Sequence, residues 1–231
     1  MKIAVWYHCK LSGAGIPDAC AAREIMLEQV AALKASGLAA FAQEIHAGIN
    51  GGPADASVVR KAFPDNATLH IHGLYARTEL PTFSVLRRWL PSHPDWFVLY
   101  HHSKGVTLPN DETKKHHRLV MQKACVENWE NCVCDLERGF DAVGINLVDP
   151  DTRPGGGAFG KVRFFAGNFW WARASYLLQL PRIPDRATEY SIRQRCIAEM
   201  WIGSCKQRPI MFDYERPELY AFWEKQGRVR K

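Results

Sequence analysis

"DWFVLYHHSKGV", residues 95–106, reads as a buried strand that runs directly into two histidines, a serine and a lysine. The continuous apolar run from Phe97 to Tyr100 fits a strand covered on both faces. In open α/β sheets, ligands sit just beyond the carboxyl ends of such strands. The stretch therefore predicts a central strand with parallel neighbours, and a binding crevice where His101, His102, Ser103 and Lys104 emerge.

The flanking sequence supplies the rest of such a sheet. Residues 2–7 make an apolar strand, "SGAGIPD" breaks it, and Pro17 with Asp18 marks a helix start. Ala22, Met26, Val30 and Leu33 recur at helical spacing, and Gly37 supplies the stop. "AAFAQEIH" reads as the second strand, followed by the loop "GINGGP". A short helix near 54–62 leads to a third strand in "ATLHIHG". Leu80, Phe83, Leu86, Trp89 and Leu90 mark another amphipathic helix. This alternation is the signature of an α/β fold with a largely parallel central sheet flanked by helices.

The second half is less regular. Val126, Trp129, Val133 and Leu136 line a helix ending at Gly139, and "FDAVGINLV" is a strand. "RFFAGNFWWARASYLLQL" passes from an aromatic strand or turn into a helix, and "YSIRQRCIAEMWIG" is helical. No repeat, long linker or low-complexity segment interrupts the chain. Residues 1–231 are expected to form one domain, with a mobile glycine-rich loop at about 149–162.

Composition narrows the function without naming it. A formal charge of +6 favours anionic partners such as nucleotides, phosphates or nucleic acid, and does not choose among them. No apolar run approaches the roughly 20 residues that span a bilayer. The apolar stretch in "MKIAVWYHCK" is too brief for a signal-peptide core. Seven cysteines without a C-x-x-C pair argue against a disulfide framework and a structural zinc site. Reduced thiols in a cytoplasm are the simplest account. "GAG" at 13–15 lacks the third glycine of a dinucleotide fingerprint, and neither a P-loop nor a G-x-S-x-G elbow occurs.

Three segments carry a resemblance. "ELPTFSVLRRWLPSHPDWFVLYHHSKGVT" (79–107), "AGNFWWARASYLLQLP" (166–181) and "AEMWIG" (198–203) occur in that order. Together they resemble a family of small bacterial and viral glycosyltransferase-like proteins with the nucleotide-diphospho-sugar transferase (GT-A) fold, a Rossmann-like single domain. Its pattern is a Glu-x-Pro-Thr helix, a strand ending in His-Thr/Ser-Lys-Gly, a Gly-Asn-Phe-Trp-Trp-Ala segment and a Glu-x-Trp-Ile/Leu-Gly helix. The resemblance implies transfer of a sugar from a nucleotide-sugar donor, a UDP-sugar first among them, to a hydroxyl. The acceptor would be a glycan precursor or a hydroxylated DNA base. A non-catalytic nucleotide- or nucleic-acid-binding module on the same fold is the alternative.

Most enzymes of this fold end the central strand in Asp-x-Asp, which holds a divalent metal on the donor diphosphate. Here "HHSK" occupies that place. Lys104 is expected to neutralise the departing diphosphate. His102 would donate a hydrogen bond or, when neutral, ligate a metal, manganese rather than magnesium. Tyr7 and His8, taken as the end of the first strand, join His102, Ser103 and Lys104 on the donor side, with Tyr7 stacking the base. His101 points to the opposite side of the strand. Asp149 and Asp151 are the literal D-x-D, but they follow a later strand and read as an Asp-Pro turn.

On the acceptor side stand Asn168, in a Gly-Asn turn, together with Trp170 and Trp201. Glu199 follows Ile192 and Cys196 along one helical face, a setting that suits the general base for the acceptor hydroxyl. His70 and His72 share a strand face but lack a carboxylate partner, which favours structural roles. The basic runs "KKHHR" (114–118) and "GRVRK" (227–231) would tolerate phosphate or DNA.

Overall fold

The computed structural model describes residues 1–13, 15–74, 78–150, 162–183 and 197–214. Strand β1 (Ile3–Lys10) is followed by helix α1 (Ala19–Ala35), a single turn α2 (Leu38–Phe41) and β2 (Glu44–Asn50). Helix α3 (Pro53–Ala62), β3 (Thr68–Ile71) and α4 (Leu80–Trp89) lead into β4 (Phe97–His102). Helix α5 (Glu112–Gln122) runs through a π-helical turn, Lys123–Glu127, into α6 (Trp129–Glu137). The short elements β5 (Ala142–Gly144), β6 (Leu147–Val148), β7 (Phe164–Phe165), β8 (Trp170–Arg173), α7 (Ala174–Leu177) and β9 (Met211–Asp213) complete the described chain.

The main sheet has seven strands in the order β3-β2-β1-β4-β8-β5-β9, and β6 pairs with β7 apart from it. Strands β3, β2, β1 and β4 are parallel, whereas β8 runs antiparallel to both β4 and β5. The chain is thus a mixed α/β fold with a mostly parallel central sheet between helices. Strand β4 is central as expected, but only β1 is its parallel neighbour. The Asn168 turn sends the aromatic segment back against β4 in the opposite direction.

Strand alternation divides the core. Val5, Tyr7, Cys9 and Leu99 face one cluster, closed by Met26 and Leu33 of α1 and by Cys125 and Val133. Ala4, Trp6, Val98 and Tyr100 face the other, closed by Phe83 and Leu86 of α4 and by Trp170 and Trp201. Val98, Leu99 and Tyr100 are fully buried. The aliphatic side chains Val98 and Leu99 each contribute about 1.5–3 kcal/mol by leaving water, so β4 is a fixed platform.

Helix α1 starts where the sequence places it, with the Asp18 carboxylate accepting from the N–H groups of Cys20 and Ala21. Gly37 ends it at φ +78°, a conformation glycine adopts without strain. Several boundaries differ from the sequence reading, and β1 runs on to Lys10. "AAF" belongs to the turn α2 rather than to β2, and "GIN" extends β2 rather than forming a loop. "FDAVGINLV" breaks after Gly144, because Asn146 adopts φ +62° and redirects the chain into β6. The glycine-rich segment 151–161, assigned above to a mobile loop, lies outside the described residues, as do Ile192, Cys196 and residues 227–231.

Candidate functional site

Strands β1 and β4 end side by side, with Tyr7 opposite His101 and His8 opposite His102. Alternation then puts His8, Lys10 and His102 on one face and Tyr7 with His101 on the other. A cleft of about 220 Å³ opens at this end, and His8, Lys10, His102, Ser103, Lys104 and Glu199 all line it. Thr78, Glu79 and Lys114 line it as well. Five of the expected site residues thus meet around one cavity, joined by the lysines Lys10 and Lys114 and the carboxylate Glu79.

The His-Ser-Lys-Gly turn is held rigidly. The Ser103 N–H donates to the His8 carbonyl at 2.9 Å, and the Lys10 N–H donates to Ser103 Oγ at 3.1 Å. Buried Arg118 makes two bonds to Glu28, at 3.0 and 3.1 Å, and a third to the Lys104 carbonyl at 3.2 Å. Gly105 sits at φ +95°, where an added Cβ would lie 3.1 Å from that guanidinium. The motif therefore needs glycine there for backbone shape and for the approach of Arg118. This accounts for most of "KKHHR": Lys114 reaches the cleft, while His117 and Arg118 turn inward. His117 is pushed down to about 3 by burial and by Lys104 and Lys114.

The Gly-Asn turn acts from behind the cleft wall. Asn168 is fully buried at φ +59°, a region asparagine tolerates better than most residues. Its Nδ2 donates to Glu79 Oε2 at 2.7 Å, and its Oδ1 accepts from Trp170 Nε1 at 2.7 Å. The Tyr100 hydroxyl also donates to Glu79 Oε2, at 2.6 Å. His102 Nε2 lies 2.8 Å from the Gly167 carbonyl, and a carbonyl only accepts, so that nitrogen carries the proton. Its Nδ1 faces Glu79 Oε1 at 3.5 Å. Burial lowers the His102 pKa most strongly, while Glu79 pulls it back up and Lys104 lowers it further.

A second imidazole is braced by α4. His8 Nδ1 and His72 Nε2 lie 2.7 and 3.0 Å from the same hydroxyl, Thr82 Oγ1. One hydroxyl proton and two lone pairs allow it to donate to one ring and accept from the other. Gly48 makes room, since a Cβ there would stand 2.0 Å from Thr82 Oγ1. Burial above all, with His72, His102 and Lys10 close by adding to it, holds His8 well below its ordinary value, so it is neutral.

Four expected residues stand elsewhere. Tyr7 is fully buried, its hydroxyl donating to Gln29 Oε1 at 2.8 Å and its ring packed on Phe63 and His101. It does not face the cleft, because β1 continues to Lys10 and Tyr7 falls on the opposite face from His8. Asn168 and Trp170 are fully buried and Trp201 is 3% exposed. Trp201 packs on Phe83 and donates to the Pro181 carbonyl. None of the three lines the cleft, so their contribution is to hold its wall. Asp149 receives Arg208 Nη2 at 3.1 and 3.4 Å, away from the cleft.

Sequence reasoning missed Lys10 and Glu79. Lys10 followed from the end-of-strand rule had β1 been carried past His8. Glu79 stood in the quoted Glu-x-Pro-Thr element without a role. As for a metal, His102 Nδ1 and Glu79 Oε1 are one facing pair of donors. The other Glu79 oxygen is taken by Tyr100 and Asn168, and no group of three or more His, Cys, Asp or Glu suited to a metal occurs among the described residues. The described donor set does not fit a resident divalent cation. No described helix is long and apolar enough to cross a membrane.

No known protein-family profile and no curated protein matches the chain. Solved structures do share its general chain trace. One is a Desulfovibrio desulfuricans protein described as a candidate nucleotide-diphospho-sugar transferase: TM-score 0.44, 12% identity, over 92% of this chain and 82% of that one. Another is the 4-diphosphocytidyl-2C-methyl-D-erythritol synthase of Anaerococcus prevotii: TM-score 0.40, 14% identity, over 100% and 84%. A third is Rv0371c of Mycobacterium tuberculosis in complex with manganese: TM-score 0.39, 11% identity, over 96% and 97%. Likeness at this level carries no residue correspondence.

Proposed function

We propose that the chain is a glycosyltransferase moving a sugar from a nucleotide-sugar donor, with UDP-sugars as the first candidates, to an acceptor hydroxyl. The observation that supports this is the gathering of Lys10, Lys104, Lys114 and Glu199 around one cleft at the carboxyl ends of β1 and β4. Three ammonium groups suit a diphosphate, and a carboxylate among them suits the uptake of a hydroxyl proton.

In an inverting transfer, the bond between the anomeric carbon and the diphosphate oxygen breaks as the acceptor oxygen bonds to that carbon. The acceptor proton passes to Glu199, and the nucleoside diphosphate leaves with the electron pair of the broken bond. Lys104 stabilises the charge that grows on the leaving oxygens, from a position fixed beforehand by Arg118 and Gly105. Neutral His8 and proton-bearing His102 Nε2 shape the same wall without adding charge.

The test is release of nucleoside diphosphate from a panel of nucleotide sugars, with and without manganese, and with glycan precursors or hydroxymethylated DNA as acceptor. Acceptor-dependent release that Glu199→Gln abolishes supports the enzyme. Donor binding without turnover under every condition would leave a non-catalytic binding module.

A further inference from the structure

A second cavity, of about 660 Å³, opens at the carboxyl end of α4, well within the range of small-molecule pockets. Arg87 and Arg88 reach it from the last turn of the helix, and Arg182 from the segment after α7. Basic residues in a last helical turn are ordinary, because they complement the helix dipole. Arg182 belongs to another segment, and its convergence with the other two is not explained that way. Among the described residues none of the three meets a carboxylate, and Arg87 is anchored instead by donating to the Leu177 carbonyl at 2.6 Å. Burial and the neighbouring Arg182 hold the Arg87 guanidinium below its ordinary value, the electrostatic mark of cations crowding one another. Ser84 Oγ, also at this cavity, is buried without a hydrogen-bond partner among the described residues. The remaining wall is apolar, with Leu178 half-buried and Ile183 nearly covered.

We propose that this cavity binds a phosphate ester with an apolar body, its phosphate held by Arg87, Arg88 and Arg182 and its carbon chain resting on Leu178 and Ile183. Planar guanidinium forks match phosphate oxygens bidentately, and three of them neutralise a dianion more than fully. An apolar wall beside them favours an ester over the free ion. A soluble phosphate ester and a phospholipid headgroup share this chemistry. The site is separate from the cleft and stands whether or not the transferase reading holds.

The test is calorimetric titration of the full chain with inorganic phosphate and with octyl phosphate, alongside co-sedimentation with phosphatidylcholine vesicles containing or lacking phosphatidic acid. Octyl phosphate should bind more tightly than inorganic phosphate, and Arg88→Gln/Arg182→Gln should weaken it at least about tenfold. Neither side chain makes a hydrogen bond to the described fold, so circular dichroism of that variant should match the parent. Leu178→Ser should erase the preference for the octyl chain while retaining inorganic phosphate. Co-sedimentation with phosphatidic acid that needs the same arginines assigns the ester to a lipid surface, and octyl phosphate binding without it assigns a soluble ligand. Equal octyl phosphate affinity in parent and arginine variant overturns the proposal. So does binding abolished by Lys104→Ala and untouched by the arginine changes, which would place the anion in the cleft.

Discussion

Lowering the pH from 7 to 5 should destabilise the protein, and His101 carries a large share of the slope. Its ring is 1% exposed, lies between Tyr7 and Phe169, and has no hydrogen-bond partner at either nitrogen among the described residues. Burial, with a smaller effect from His102, pushes its pKa down to about 3. The fold therefore holds the neutral ring, while an unfolded chain binds a proton once the pH falls through about 6.5. Stability is complete above that value and is lost as the pH drops towards 3. For one such histidine the loss between pH 7 and pH 5 comes to about 2 kcal/mol. His101→Phe keeps a planar ring between the same neighbours and removes the titration. Urea unfolding of parent and variant at pH 7 and pH 5 gives four free energies. The drop should be smaller in the variant by about 2 kcal/mol, whatever overpacking does to its absolute stability. Equal drops would mean that His101 already carries a proton in the native protein, or takes none up in the unfolded one, and the burial argument would fail.

Lys104→Ala should weaken donor binding by about 1.5–3 kcal/mol, the range for a hydrogen bond to a charged group, as read by calorimetry. Glu199→Gln should lower turnover roughly 100- to 10,000-fold with donor affinity nearly constant, because a general base addresses the acceptor; near-parent turnover would make Glu199 structural. Thr82→Val keeps the shape but strips His8 and His72 of their shared partner, and should cost about 1–3 kcal/mol in denaturant unfolding, with Thr82→Ser restoring it.

Strand β4 and its polar exit were legible because a buried parallel strand is an uninterrupted apolar run, a pattern that survives whatever packs on it. Helix α1 was legible through its cap and stop residues for the same local reason. The direction of β8 was not, since pairing with β4 depends on where the chain re-enters after the Asn168 turn, which no local pattern in "GNFWWARAS" encodes. Tyr7 failed on a different ground. Alternation was applied correctly to His101, but β1 was ended two residues early. Carried to Lys10, the same rule would have put Lys10 in the cleft and Tyr7 in the core. Trp170 and Trp201 were given acceptor roles because rings stack sugars, yet composition alone cannot separate a ring that lines a cavity from one that supports its wall.

The turn at Gly167 and Asn168 shows how the support operates. Gly167 adopts φ +102° where a Cβ would fall 2.5 Å from Met121 Sδ, and its carbonyl receives the His102 ring. The next residue grips Glu79. One turn thus fixes both an imidazole and a carboxylate of the cleft, while Arg118 fixes Lys104. The cleft is therefore assembled from segments far apart in sequence, held by buried polar groups together with backbone bonds between cleft residues such as Lys10 and Ser103. That arrangement immobilises the backbones of Lys10 and Lys104 at the cleft, so the proposed binding of a diphosphate would need little reorganisation there.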